Sequence, residues 1–211
     1  MLGSLIAFLW SVAEYLRSRR EKAMKIAVLL SGTGRTLDNF HERIMNGTMK
    51  GRIEVVISNV ADVLGLTKAE NYGYPAFYAK DNESANAVLA DYDIDIICLA
   101  GYLKLYNPPP NLKYSVLNIH PALIPSFCGP GLYGMRVHRA VHDKGVKVTG
   151  CTVHFANEIY DDGPIVVQKC VSLTDKDRPE DIASKVFEAE CEAYPEAINL
   201  VHEKGVEYFW T

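Results

Sequence analysis

The sequence predicts an α/β protein with a doubly wound, mainly parallel sheet of the Rossmann-like kind, helices on both faces and a long C-terminal helix. Three observations support this fold class. From residue 25 onward, short apolar segments alternate with helical ones, as in β-α-β units. Residues 26–30 are continuously apolar, which is typical of a parallel strand buried on both faces. A Gly-containing turn at residues 31–36 follows this strand and leads into a helix.

The first half of the body contains four such strands. The predicted strands are residues 26–30, 53–58, 75–78 and 94–100, and the helices between them end near residue 45 or span residues 64–72 and 85–90. Ligands of doubly wound sheets bind at the carboxyl ends of the strands. The segments SGTG (31–34) and AGY (100–102) follow two of these strands, so we expect both in a binding region.

The second half has a different pattern. Its predicted strands are residues 116–119, 146–155 and 165–171, and its helices are residues 135–142 and 179–202. Residues 126–134, SFCGPGLYG, are too rich in Gly and Pro for regular structure, which predicts a mobile loop. No linker is long enough to divide the body into independent domains.

Residues 1–23 are predicted to lie outside the domain. They contain a short apolar run followed by a basic segment, the reverse of the order in a signal peptide. The apolar run is also far below the roughly 20 residues of a spanning helix. Three interpretations stay open: an amphipathic helix on the body or on a membrane surface, a targeting extension, or translation from an upstream start. We favour a dispensable extension.

Composition excludes several classes of protein. Hydrophobic residues make up 48% of the chain and charged residues 23%, which excludes disordered and low-complexity classes. The net charge of -4 argues against a nucleic-acid partner recognised through its phosphates. The five cysteines include no CxxC pair, so we expect neither disulfides nor a zinc site, and a reducing compartment.

The turn SGTGRT at residues 31–36 predicts an anion site. Glycines between a strand and a helix let backbone N–H groups face an anion, and the helix N-terminus adds partial positive charge. The turn lacks the GxGxxG spacing and the Walker lysine, which favours a phosphate monoester over NAD or ATP. The alternative is a tight connection in which Arg35 is an exposed helix residue.

Two further segments carry candidate chemistry. In LNIHPALIP (117–125), Asn118 and His120 are two apart in a strand and share a face. An amide donor beside an imidazole suits an acyl-transfer centre, although both side chains could instead bond loop backbone. In EIYDDGP (158–164), Asp161 and Asp162 could cap a turn, bind a cation or partner a histidine.

The order and spacing of these segments resemble the phosphoribosylglycinamide formyltransferases, a family of folate-dependent enzymes. The similarity includes SGTG, LAGYLKL (99–105), LNIHPALIP, GLYGMRVH (131–138) and the Asp-x-Gly-Pro of residues 161–164. It implies the formyltransferase fold. It also implies transfer of the formyl group of 10-formyltetrahydrofolate to the amine of 5-phosphoribosylglycinamide, a step of de novo purine biosynthesis.

The resemblance implies a role for each matching residue. Asn118 and His120 would contact the formyl oxygen, and Asp161 would pair with His120 and raise its pKa. The residues implied for the ribonucleotide are Thr33, Gly34, Arg35, Thr36 and Glu190, and those implied for folate are Leu103, Lys104, Leu105, Tyr106 and Asn118.

The resemblance also implies a single domain over residues 24–211. Residues 24–106 would form its phosphate-binding half and residues 107–211 its catalytic and folate-binding half. We expect a cytoplasmic enzyme, a monomer or homodimer, whose partners are its two small-molecule substrates, with no metal, no nucleic acid and no firm membrane partner. Other folate formyltransferases are disfavoured because this chain has SGTG and Pro121 after its histidine. A catalytically silent phosphate- or folate-binding module is the alternative from another class.

Overall fold

The computed structural model describes residues 23–210, so the predicted extension lies outside the described residues apart from Ala23. Within that range the chain forms seven strands and five α-helices. The strands are β1 (Met24–Leu30), β2 (Gly51–Ser58), β3 (Ala76–Tyr78), β4 (Ile96–Leu99), β5 (Val116–His120), β6 (Val148–Phe155) and β7 (Ile165–Ser172). The helices are α1 (Arg35–Met45), α2 (Leu64–Asn71), α3 (Asn82–Leu89), α4 (Met135–Lys144) and α5 (Pro179–Lys204).

All seven strands belong to one sheet in the order β3-β2-β1-β4-β5-β6-β7. The neighbours from β3 to β5 are parallel, whereas β5 pairs antiparallel with β6, and β6 with β7. The chain moves outward from β1 to β2 and β3 and then returns to add β4 on the other side. The mainly parallel, doubly wound sheet is confirmed, and its topological switch point lies between β1 and β4.

Alternate residues of the central strands point into two separate cores. Ile26 and Val28 of β1 pack in one core with residues of α1, α2, α4 and α5, whereas Ala27 and Leu29 pack in the other core with α3. Every residue of β1 is buried, as a strand covered on both faces requires. Helices on both faces are therefore confirmed, with most of them on one side.

Helix α3 begins three residues before the predicted start, at Asn82 instead of residue 85. The side chain of Asp81 accepts a hydrogen bond from the backbone N–H of Ser84 (2.9 Å), which caps the helix. The first turn is polar and carries no apolar periodicity, so the cap alone marks the start of this helix.

The long helix α5 is joined to the sheet beside the predicted catalytic strand. Tyr194 is fully buried, and its hydroxyl lies 2.9 Å from the carbonyl oxygen of Leu117 and 3.1 Å from that of Leu99. Leu117 is the second residue of β5, and Leu99 is the last residue of β4. Tyr194 therefore connects α5 to the two strands whose carboxyl ends should carry the site.

Two further features follow from the fold. No helix in the part of the chain that the structure describes is long and apolar enough to span a bilayer. All five cysteines are free thiols.

Replacing Tyr194 with Phe should lower the free energy of unfolding by about 1–3 kcal/mol, because the buried carbonyl oxygens lose their hydroxyl donor. Urea unfolding followed by circular dichroism measures this change. Tyr133→Phe is the matched control because the Tyr133 side chain is largely exposed. Equal stability of the two variants would contradict a role for the buried hydroxyl.

Candidate active site

The end of β5 brings two of the predicted catalytic side chains to one face of the sheet. Asn118 lies opposite His154 of the antiparallel strand β6, and His120 lies opposite Thr152. Side chains directly opposite each other in an antiparallel pair share a face. The strand alternation that predicted a common face for Asn118 and His120 is thus reinforced by the pairing with β6.

The imidazole of His120 lies between two hydrogen-bond acceptors. Its Nδ1 is 3.5 Å from Oδ2 of Asp161, and its Nε2 is 2.9 Å from the carbonyl oxygen of Phe127. A neutral imidazole has one N–H and donates to only one of them, whereas an imidazolium donates to both. The surroundings of this ring are therefore arranged for the protonated form.

Burial of the His120 ring disfavours this protonated form. Burial lowers the pKa of His120 below its ordinary value, although the carboxylate of Asp161 and the carbonyl of Phe127 act to raise it. The expectation that Asp161 raises this pKa agrees with the direction of its effect, but the cost of desolvating the ring is larger and sets the net direction. The buried ring therefore gives up a proton more readily than an exposed histidine, and a developing negative charge nearby favours its protonated form.

Asp161 is held in place by the turn that carries it. The residue adopts a positive φ of 56°, and its Oδ2 accepts a hydrogen bond from the N–H of Gly129 (2.9 Å). Two residues on, a Cβ added to Gly163 would lie 1.9 Å from the carbonyl oxygen of Phe155, so only glycine allows the turn to pack this closely on β6. The predicted pairing of Asp161 with a histidine is what the geometry shows.

The pKa of Asp161 has opposing causes. Burial would raise it, but the interaction with His154 at 3.8 Å, the hydrogen bond from Gly129 and the charge of His120 outweigh burial, and the pKa lies below its ordinary value. Asp161 is therefore a carboxylate at neutral pH, as an electrostatic partner of an imidazolium must be.

His154 is a site residue to which the sequence analysis assigned no role. Its Nδ1 lies 2.9 Å from the carbonyl oxygen of Phe155, which only accepts, so this nitrogen carries the proton. Its Nε2 lies 3.2 Å from Nδ2 of Asn118 and 3.8 Å from Oδ1 of Asp161, so this nitrogen faces both groups. This contact orients the Asn118 carboxamide and leaves its second N–H for another acceptor.

Two adjoining cavities lead away from these side chains. The smaller cavity is lined by Asn118, His154 and Asp161, and by three of the predicted folate residues: Lys104, Leu105 and Tyr106. The larger cavity, about 640 Å³, is also lined by Leu105 and Tyr106. Leu103 lines neither cavity; its side chain is exposed, and its backbone N–H donates to Oγ of Ser31 (3.0 Å).

The Gly-rich turn lies at the same edge of the sheet, two strands from β5. Gly34 caps α1 with a φ of 72°, and a Cβ at this position would lie 2.9 Å from Cα of Gly65. Glycine is therefore required here by both conformation and space. Thr33 and Arg35 are exposed, and Thr36 is half-buried in the first turn of α1. With β4 between the two strands, this turn is about 10 Å from the end of β5.

Glu190 of α5 is linked to the turn through Arg35. The Arg35 guanidinium lies 3.5 Å from the centre of the Phe187 ring, one helical turn before Glu190. Burial raises the pKa of Glu190 to about 7, and the charge of Arg35 opposes this rise. The charge of Arg35 therefore acts on Glu190, and the Glu190 carboxyl group ionises near neutral pH.

In the range 23–210, no three acidic, histidine or cysteine side chains are placed to hold a metal ion.

Comparison with known proteins agrees with this architecture. Residues 24–198 match the model of the formyl transferase family. A phosphoribosylglycinamide formyltransferase of Arabidopsis thaliana, named as chloroplastic, is 36% identical over 205 residues, which are 90% of this chain and 70% of that protein. The trifunctional purine biosynthetic protein adenosine-3 of Gallus gallus is 38% identical over 195 residues, 87% of this chain but 19% of that protein.

Solved structures agree as well. The crystal structure of phosphoribosylglycinamide formyltransferase from Anaplasma phagocytophilum matches with a TM-score of 0.78 at 33% identity, covering 86% of this chain and 88% of that one. The predicted formyltransferase fold is thus confirmed. The chain belongs to the formyl transferase family and is similar, over most of its length, to the phosphoribosylglycinamide formyltransferases.

Proposed function

We propose that this protein transfers the formyl group of 10-formyltetrahydrofolate to the amine of 5-phosphoribosylglycinamide, giving formylglycinamide ribonucleotide and tetrahydrofolate. The observation that carries this proposal is the meeting of Asn118, His120 and Asp161 at the end of β5. An amide N–H and a buried imidazole with its own carboxylate can stabilise one developing oxyanion. The relatives' names agree with this chemistry.

The reaction needs charge stabilisation and one proton transfer. The amine of the ribonucleotide attacks the formyl carbon, a C–N bond forms, and the carbonyl oxygen becomes negatively charged. Asn118 donates an N–H to this oxygen, and His120 takes up the proton that the attacking nitrogen loses and stabilises the oxyanion electrostatically until this proton passes on. The bond from carbon to N10 then breaks, and the proton lost by the attacking nitrogen reaches N10. Asp161 supplies the negative charge that lets the buried ring hold its proton.

The cavities support a folate site. Lys104, Leu105 and Tyr106 border the space next to the catalytic side chains, and the adjoining cavity of about 640 Å³ lies within the range usual for small-molecule sites. Its lining combines aromatic and aliphatic side chains with a few polar groups, which suits a flat heterocycle. Folate bound there would place N10 at the catalytic end. Of the residues implied for folate, Leu103 is the one that lines neither cavity.

The turn at residues 33–36 supports a site for the ribonucleotide phosphate. The N-terminus of α1 presents backbone N–H groups and a partial positive charge, and Thr33, Arg35 and Thr36 add side-chain donors. Gly34 keeps the backbone accessible. Glu190, whose carboxyl group lies near Arg35, would accept hydrogen bonds from the sugar or the amine. The free thiols of all five cysteines favour a reducing compartment such as the cytoplasm.

The proposed activity is tested directly by mixing the purified protein with 10-formyltetrahydrofolate and 5-phosphoribosylglycinamide. We expect the absorbance of released tetrahydrofolate to rise only when the ribonucleotide is present. Release without the ribonucleotide would indicate hydrolysis instead of transfer. Binding of both compounds with no release would indicate a silent binding module.

Replacing His120 with Ala should lower kcat by at least about 10²–10³, because one stabiliser of the oxyanion is lost. The affinity for the ribonucleotide should change little, since His120 is far from the turn at residues 33–36. His142→Ala is the matched control because His142 is a largely exposed histidine on α4. A kcat close to that of the unmodified protein would refute the proposed role.

Replacing Asp161 with Asn should lower the pKa of His120 further, because burial then acts without the opposing carboxylate. The titration of the His120 Cε1–H resonance by NMR measures this shift in the free protein. Asp162→Asn is the control, since the carboxyl group of Asp162 bonds Asn157 instead of a histidine. An unchanged or higher pKa in Asp161→Asn would show that the two groups do not interact.

A further inference from the structure

The last described residue, Trp210, is fixed against the body of the protein. It follows the short 3-10 turn Val206–Phe209. Its indole Nε1–H donates to the carbonyl oxygen of Tyr114 (3.0 Å), and its ring centre lies 5.0 Å from that of Tyr114 and 5.7 Å from that of Phe155. A hydrogen bond and two ring contacts hold the indole in one orientation.

The indole also lies at a cavity, because Trp210 lines the one of about 640 Å³ together with Tyr114. This cavity shares five lining residues with the smaller one, which is lined by Asn118 and Asp161. The shared residues are Leu105, Tyr106, Ala156, Asn157 and Ile159. The two cavities are therefore neighbouring parts of one binding region. Trp210 and Tyr114 lie only in the part that is farther from Asn118.

The lining of the larger cavity is mainly aromatic and aliphatic. Tyr106, Tyr114 and Trp210 contribute three aromatic rings, and Pro108 and Ile159 add aliphatic surface. Aromatic rings of this kind pack edge-to-face or offset against a flat conjugated ligand. Lys113 and Glu158, paired at 3.1 Å, both line this part of the cavity, so polar groups are present beside the apolar surface.

We propose that Trp210 is a substrate-contacting, specificity-determining residue that forms a wall of the folate site and packs against the bicyclic ring of the bound folate. This inference rests on the proposed function. With the formyl group at Asn118 and His120, the part of the ligand on the ring side of N10 enters the larger cavity, and Trp210 and Tyr114 limit its depth. The turn after α5 is then part of the active site.

Kinetics with Trp210→Ala and Trp210→Phe test the proposal. We expect KM for 10-formyltetrahydrofolate to rise at least about tenfold in Trp210→Ala and less in Trp210→Phe, with KM for the ribonucleotide unchanged. Tyr208→Ala is the matched control, because this aromatic residue belongs to the same turn but does not line the cavity. An unchanged KM for the folate in a folded Trp210→Ala variant would overturn the proposal.

A binding measurement does not depend on catalysis or on the stability of the alanine variant. The chain has two tryptophans, Trp10 and Trp210, so the variant Trp10→Phe reports the fluorescence of Trp210 alone. Titration with 10-formylfolic acid, an oxidised analogue that absorbs at the wavelengths of tryptophan emission, should quench this fluorescence to saturation. Binding of the analogue by calorimetry without any quenching would overturn the proposal.

The two hypotheses fail in different ways. If the unmodified protein forms no formylglycinamide ribonucleotide, the proposed function fails, whatever the fluorescence shows. If it forms the product and the bound folate analogue does not quench the fluorescence of Trp210, the proposed function stands and the inference about Trp210 is wrong.

Discussion

The site depends on one buried imidazole that has an acceptor at each nitrogen. The carboxylate of Asp161 faces one side of the His120 ring and the carbonyl of Phe127 faces the other, so the surroundings favour a charge that burial penalises. The strand β5, the turn at residue 161 and the loop at residue 127 must all be in place for this opposition to exist. Small changes in local charge then decide the protonation state of the ring, which is useful for stabilising a transient oxyanion.

The sheet has a parallel part and an antiparallel part, and each part positions a different group of candidate site residues. Its parallel part, with the switch point between β1 and β4, presents a helix N-terminus suited to phosphate. Its antiparallel part places β6 beside β5, so that His154 lies directly opposite Asn118. A crossover connection at this point would have removed β6 from the end of β5. The formyl-transfer centre that we propose therefore lies where the two kinds of pairing meet.

Sequence patterns were sufficient for the layers of the fold and for the shared face of Asn118 and His120, since both follow from short-range periodicity. They did not predict that His154 belongs to the site. The register that places His154 opposite Asn118 depends on the long connection between β5 and β6, and the residue types in this connection do not fix its path. The groups that contact His120 and Asp161 from the loop are a backbone carbonyl and a backbone N–H, which do not depend on the type of side chain. The raising effect of Asp161 on the pKa of His120 could be predicted but the net lowering could not, because sequence can suggest the partner of the ring but not its degree of burial.

Ser31 connects the two parts of the molecule that we assign to different substrates. Its hydroxyl donates to Asn59 (2.6 Å) and accepts the N–H of Leu103. The loop that leads to the folate cavities and the turn that faces the phosphate therefore share one oxygen atom. Because one hydroxyl bonds both segments, a displacement of either segment alters the hydrogen bonding of the other.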